Sequence, residues 1–311
     1  MLAPYKTYES RDIYGMTIDD HPDDDSIKYH VVECTAHARE WISPAFCQLL
    51  LYELLYGNYQ HMRQSAKWLF IPMLNPDGYA YTKTSTKNDF LETGECKLSD
   101  YHNGWVHNPR PCYWRKNRAP HILPDQPTSL TMGSKTFECW GIDLNRNNDA
   151  YFQLPNQTDE WFELDKCWET YQGLAATDQL ENQAKRDFLA DKWDNVDVFY
   201  SIHSAVDCIY IPYGYIDSGN YTNHWSMYKV ASTMIEYMKR HDLDIDQDVI
   251  DHAEYEEWLM VNNSRRHQST IQNTYGSDRG YPVRVQTTMC NWPNDIAGGS
   301  DDWAKLQVSS I

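Results

Sequence analysis

His37-Ala38-Arg39-Glu40-Trp41-Ile42-Ser43-Pro44-Ala45 is the stretch on which the reading of the fold turns. It follows Tyr29-His30-Val31-Val32-Glu33-Cys34, a strand-like run, and leads into Ser43-Pro44, which reads as a helix N-cap with proline at the first helical position. His37 and Glu40 therefore stand where a strand ends and a helix begins, the place where open α/β sheets put their sites. An imidazole and a carboxylate three residues apart can converge on one cation, and a zinc site built on them needs one further ligand plus an open position for water. Taken alone, the pair is as well explained by a surface histidine beside a solvated glutamate.

A second imidazole answers far along the chain. Val196-Asp197-Val198-Phe199-Tyr200-Ser201-Ile202 is another strand-like run, and it ends at His203-Ser204. Between the two lie, in order, Asn75-Pro76-Asp77-Gly78-Tyr79, Tyr113-Trp114-Arg115-Lys116-Asn117-Arg118 and Gly141-Ile142-Asp143-Leu144-Asn145-Arg146-Asn147. With these motifs in this order, the chain resembles the zinc metallocarboxypeptidases of the pancreatic carboxypeptidase A and B type, from about Tyr8 to Lys305.

The resemblance implies an α/β fold with a mixed, mostly parallel twisted sheet and helices on both faces. It implies one Zn²⁺ held by His37, Glu40 and His203, and hydrolysis of the C-terminal peptide bond of peptides and proteins by metal-activated water. Arg115 takes the role of the cation beside the developing oxyanion. Asn145 and Arg146 recognise the substrate α-carboxylate, for which a planar guanidinium offers a two-pronged match, and Arg39 and Ser204 are further substrate contacts. Within Gly298-Gly299-Ser300-Asp301-Asp302-Trp303, Asp301 stands at the base of the side-chain pocket, where an anion favours C-terminal Lys or Arg. The resemblance also implies a Cys139–Cys167 disulfide and a secreted protein.

The chain departs from the family pattern in places. Asn294 stands where relatives carry a tyrosine over the bound substrate, and the residues after Asp302 contain no acid where relatives supply a general-base glutamate. The expectation is of a single catalytic domain over 1–311 with no pro-segment, its last strand and C-terminal helix missing, and insertions near 82–112 and 241–293. A catalytically inactive member that binds zinc or peptide tails is the competing class. A zinc amidase acting on small molecules keeps the metal ligands but has no need of Asn145 with Arg146.

Bulk properties narrow the field. The formal charge of −18 argues against nucleic-acid binding and favours cationic partners, and no apolar run approaches the ~20 residues that cross a bilayer. A monomer is the default. Met1-Leu2-Ala3-Pro4 lacks the features of a signal peptide, while Asn156, Asn220 and Asn262 begin glycosylation triplets. The eight cysteines form no Cys-x-x-Cys pair. Cys34, Cys47 and Cys208 lie in apolar patterns and read as buried free thiols, and a Cys96–Cys112 bridge would close the base of the polar insertion.

Local patterns supply the remaining elements. Tyr5–Tyr14 resembles the family's first hairpin, and a helix runs from Pro44 to Gly57 with Phe46, Leu49, Leu50, Leu54 and Leu55 on one face. Trp68–Leu74 is a strand buried on both faces, stopped by a turn at Asn75-Pro76-Asp77-Gly78. Helices are expected over Thr177–Trp193, with Asp178 as N-cap, and over His224–Lys239; His241–Trp292 shows too little periodicity for a packed core.

Overall fold

The structure is a computed structural model that describes residues 5–84, 111–120, 129–132, 135–150, 152, 166–204, 208–212, 224–240 and 284–286. The chain divides into two compact units, 1–204 with 297–311, and 205–296.

The first unit is built on a four-stranded sheet. Its strands are β1 (Met16–Ile18), β2 (Tyr29–Cys34), β3 (Lys67–Ile71) and β6 (Val196–Ile202), in the order β1-β3-β2-β6. β2 runs parallel to both β3 and β6, and β1 is antiparallel to β3. Successive side chains on a strand point to opposite faces, so the two central strands feed two apolar layers. Val31, Leu69 and Ile71 pack with Leu144, Phe188, Leu189 and Trp193 on one face. Val32, Cys34, Trp68 and Phe70 pack with Cys47, Leu54 and Ala66 on the other. Burial on both faces is the reason that Trp68–Ile71 reads as an unbroken apolar run rather than an alternating one.

Three helices accompany this sheet: α1 (Ile42–Leu55), α2 (Pro76–Thr82) and α3 (Leu180–Leu189). α1 begins two residues earlier than expected. Trp41 is its cap residue without a side-chain capping bond, and Ser43 is not the N-cap. Ser43 instead donates its hydroxyl to the Ile202 carbonyl at 2.6 Å and accepts from the Thr35 amide at 2.9 Å, tying α1 to the ends of β2 and β6. Its buried residues are Ser43, Cys47 and Leu54, whereas Phe46 and Leu49 face outward.

Asn75-Pro76-Asp77-Gly78 stops β3 as expected, but by starting a helix rather than making a free turn. The Asn75 side chain accepts from the Gly78 amide at 2.9 Å, with proline at the first helical position. Asp77, fully buried, accepts from the Thr7 hydroxyl and the Glu9 amide at 2.6 and 2.8 Å and so holds the N-terminal segment. The expected hairpin over Tyr5–Tyr14 reduces to a single Lys6–Asp12 bridge. Asp178 does not cap α3. Its carboxylate accepts from the Leu174 and Ala175 amides in the preceding turn, and the helix spans only Leu180–Leu189.

A two-stranded antiparallel ribbon, β4 (Ser129–Met132) with β5 (Lys135–Glu138), was not anticipated from the sequence. Cys139 and Cys167 are bridged as the resemblance implied. Cys34 and Cys47 are also bridged, which corrects the reading of both as free thiols: the end of β2 and the second turn of α1 face each other across the apolar layer, with Cα atoms 6.4 Å apart. Cys112 is disulfide-bonded as well, while Cys96 and the side chain of Cys208 lie outside the described residues.

In the second unit, β7 (Cys208–Tyr210) pairs in parallel with β8 (Arg284–Gln286), and α4 (His224–Arg240) matches the expected helix to within a residue. Ile211, Tyr228 and Ala231 form its buried cluster among the described residues. Most of the expected insertions near 82–112 and 241–293, with Asn294 and the Gly298–Trp303 motif, lie outside the described residues.

Candidate metal centre

Strand register brings the site together. Cys34 of β2 is paired with Ile202 of β6, so the residues just beyond these two parallel strands emerge side by side at the C-terminal end of the strands. Beyond Cys34 the chain turns sharply through Thr35, whose φ of 61° lies in the left-handed region that a β-branched residue seldom enters. Ser43 and the Pro72 carbonyl fix that residue by hydrogen bonds. His37 and Glu40 follow, both buried, and His203 meets them from the end of β6.

One ligand atom from each of His37, Glu40 and His203 falls within 4.8 Å of the other two. His37 Nδ1 is 2.6 Å from Glu40 Oε1, His203 Nδ1 is 2.9 Å from Glu40 Oε2, and the two Nδ1 atoms are 3.0 Å apart. Asp143, fully buried, lies behind His37, with Oδ1 3.1 Å from Nε2. A carboxylate there takes the Nε2–H, which leaves the Nδ1 lone pair directed at Glu40 and His203. Two ring nitrogens and a carboxylate then converge with a surplus of electron pairs, an arrangement that a divalent cation satisfies. Two imidazoles and a carboxylate are a donor set that would hold zinc, and the residues fit the ion.

The charges around the cluster are ordered. Burial pushes the Glu40 carboxyl up, but His37 and His203 outweigh it and hold the group well below the usual carboxylate range. Burial acts on Asp143 in the same direction and is overcome by Arg115, then His37, so this group too lies well below its ordinary value. Burial lowers the pKa of His203, and Glu40 more than reverses the effect.

Arg115 is held by Asp143, with Nε and Nη2 both 2.9 Å from Oδ2, and its Nη1 lies 3.8 Å from Glu40 Oε1. The Arg115 carbonyl also accepts from the Ala38 amide at 2.9 Å, stitching the arginine's segment to the turn that carries His37 and Glu40. Asn117 aligns that segment with residues 141–143 through its amide and side chain, and Gly141, at φ 76°, passes so close to the Asn117 carbonyl that a side chain there would clash.

The other expected site residues are placed as follows. The Asn145 amide donates to Asp143 Oδ1 at 2.9 Å, and Arg146, nearly buried, donates to the Asn145 carbonyl at 2.9 Å. The Ser204 amide donates to Glu40 Oε2 at 3.2 Å. The fork of Arg39 is engaged by Glu169, with both contacts at 2.8 Å. Asp301 lies outside the described residues. Asp143 and Glu169 were not singled out from sequence. Asp143 sits inside a motif quoted for its neighbours, and nothing local marks it as the partner of His37.

The description of the zinc carboxypeptidase family matches residues 5–310. Similar proteins include carboxypeptidase O of Bos taurus, 29% identical over 75% of this chain and 52% of its own length, and carboxypeptidase B of Homo sapiens, 30% identical over 67% and 40%. The chain thus spans about half the length of the relatives it matches. In fold it is similar to the crystal structure of carboxypeptidase A from Helicoverpa armigera, with a TM-score of 0.64 at 20% identity over 97% of this chain and 55% of that one. A second match is thrombin activatable fibrinolysis inhibitor, with a TM-score of 0.62 at 21% identity over 98% and 57%. With a family match over nearly its whole length and a mixed, open α/β sheet like theirs, the chain belongs to the zinc carboxypeptidase family.

Proposed function

We propose that the protein is a zinc-dependent carboxypeptidase that removes C-terminal residues from peptides and proteins, with preference for Lys and Arg. The observation that carries this reading is the convergence of His37, Glu40 and His203 beside Arg115. Bound zinc supplies Lewis acidity toward a peptide carbonyl and makes water a better nucleophile. Arg115, buttressed by Asp143, presents a fixed cation where negative charge develops, so the electrostatics are in place before the substrate arrives. Arg146 and Asn145 anchor the free α-carboxylate, which confines cleavage to the chain end, and the anion of Asp301 selects a basic side chain. Two bridges among the described residues support an oxidising, extracellular setting, and no helix among the described residues is long and apolar enough to cross a membrane.

The test is zinc content together with release of single residues from peptides ending in Lys, Arg, Phe or Leu. One zinc per chain is expected, with activity abolished by a chelator and Lys released faster than Phe. Arg115→Ala is expected to lower kcat by about 10²–10³-fold with zinc retained. Faster release of Phe or Leu would overturn the assignment of Asp301. Zinc uptake without any cleavage would leave the binding-only member as the reading.

A further inference from the structure

The His203 ring has two nitrogens, and a metal ligand works only if the right one carries the proton. Nδ1 is turned toward Glu40 and His37, while Nε2 lies 3.0 Å from the Ser201 hydroxyl oxygen. Ser201 has a single hydroxyl proton and gives it to Glu33 Oε1 at 2.9 Å. Its oxygen is left to accept, which assigns the proton of the imidazole to Nε2 and the lone pair to Nδ1. Glu33 accepts most strongly as a carboxylate, and Lys185 Nζ lies 2.8 Å from its other oxygen.

This pair is unexpected where it stands. Glu33 and Lys185 are 0% and 1% exposed, in the layer between the central strand and α3 that is otherwise filled by Val31, Leu144, Phe188 and Leu189. A buried ion pair loses about as much hydration as it gains in attraction, so apolar residues of the same volume would serve stability as well or better. What apolar residues would not supply is a direction for the Ser201 proton.

We propose that Lys185, Glu33 and Ser201 are positioning residues that fix the tautomer and orientation of His203 and thereby set the affinity of the site for zinc. The proposal rests on the zinc reading above. It gives each imidazole its own support: Asp143 with Arg115 behind His37, and Ser201 with the Glu33–Lys185 pair behind His203.

The test measures zinc dissociation by competition with a chromophoric chelator, the visible spectrum of the cobalt-substituted protein, and the melting temperature of the metal-free protein, all on the 311-residue chain. Ser201→Ala is expected to bind zinc about 10–100-fold more weakly, with an altered cobalt spectrum and an unchanged metal-free melting temperature. Ser201→Thr, which keeps the hydroxyl, is expected to restore binding to within about threefold. The double variant Glu33→Leu/Lys185→Met replaces the ion pair with apolar volume. It is expected to weaken zinc about tenfold while the metal-free protein stays as stable or becomes more so. If the unaltered chain binds zinc and all the variants bind it equally well, the relay falls alone. Equal losses in Ser201→Ala and Ser201→Thr would also overturn it, because they would trace the effect to packing rather than to the hydroxyl. If the unaltered chain takes up no zinc, the proposed function falls and the relay with it.

Discussion

Asp143 is the residue on which most of the site's order depends, since one carboxylate directs His37, holds Arg115 and accepts from the Asn145 amide. Asp143→Asn keeps the shape and removes the charge. It is expected to weaken zinc by about 10–100-fold, measurable by chelator competition. Glu181 makes a different prediction. This carboxyl is fully buried in the first turn of α3, and burial pushes it up to about 7, with the bond from Asn117 opposing and Asp77 reinforcing the rise. The folded-state value lies above the ordinary 4.5, so the native state holds the proton more tightly than the unfolded chain does. The stability this contributes is fully present below about pH 4.5 and is lost as pH rises through about 7. Glu181→Gln removes that dependence. Urea midpoints are expected to be similar for the two proteins at pH 4.5 and to favour the variant by on the order of 3 kcal/mol at pH 8. A constant difference at both pH values would contradict this.

Among the elements, β2 and α1 carry the site between them, and the connection is braced at both ends. Cys34 at the end of β2 is bridged to Cys47 in α1, and Ser43 ties the start of α1 to Thr35 and Ile202. The bridge closes a short loop, 13 residues in sequence separation, that contains both His37 and Glu40. It therefore restricts the unfolded chain around the ligands as well as linking strand to helix. Replacing both cysteines with alanine is expected to cost about 3 kcal/mol, read as a lower urea midpoint with an unchanged number of zinc ions bound. Thr35, held at positive φ by Ser43 of α1 and the Pro72 carbonyl just past β3, is the point of backbone strain in the same turn.

For the molecule as a whole, the decisive feature is that the candidate ligands lie 166 residues apart, at His37 and His203, and meet only because β2 and β6 are parallel neighbours. The unfolded chain has no such site, so zinc held by the candidate trio would stabilise the native state by mass action. Free zinc at about a hundredfold over the dissociation constant is expected to add about 2.7 kcal/mol, seen as a concentration-dependent rise in melting temperature. His203→Ala is expected to abolish that rise. A similar rise in the variant would show that zinc is bound elsewhere. With 45 acidic against 27 basic residues, the surface also favours approach of cationic chain ends over anionic ones, in keeping with the proposed preference for Lys and Arg.

Several features were legible in the residues themselves. The bounds of β2 and β6 and the span of α4 follow from local runs of apolar residues, which need no knowledge of distant neighbours, whereas the candidate trio of His37, Glu40 and His203 is legible only through the family resemblance that the ordered motifs carry. The tertiary structure alone decided which side chains serve those positions: Asp143 behind His37, Glu169 on Arg39, Lys185 on Glu33, Cys34 bridged to Cys47, and Ser43 fastening three elements instead of capping one. The reason is physical. A strand's periodicity says which residues turn inward, but which partner each one meets is set by sheet register and helix placement, and these depend on the packing of the whole core at once.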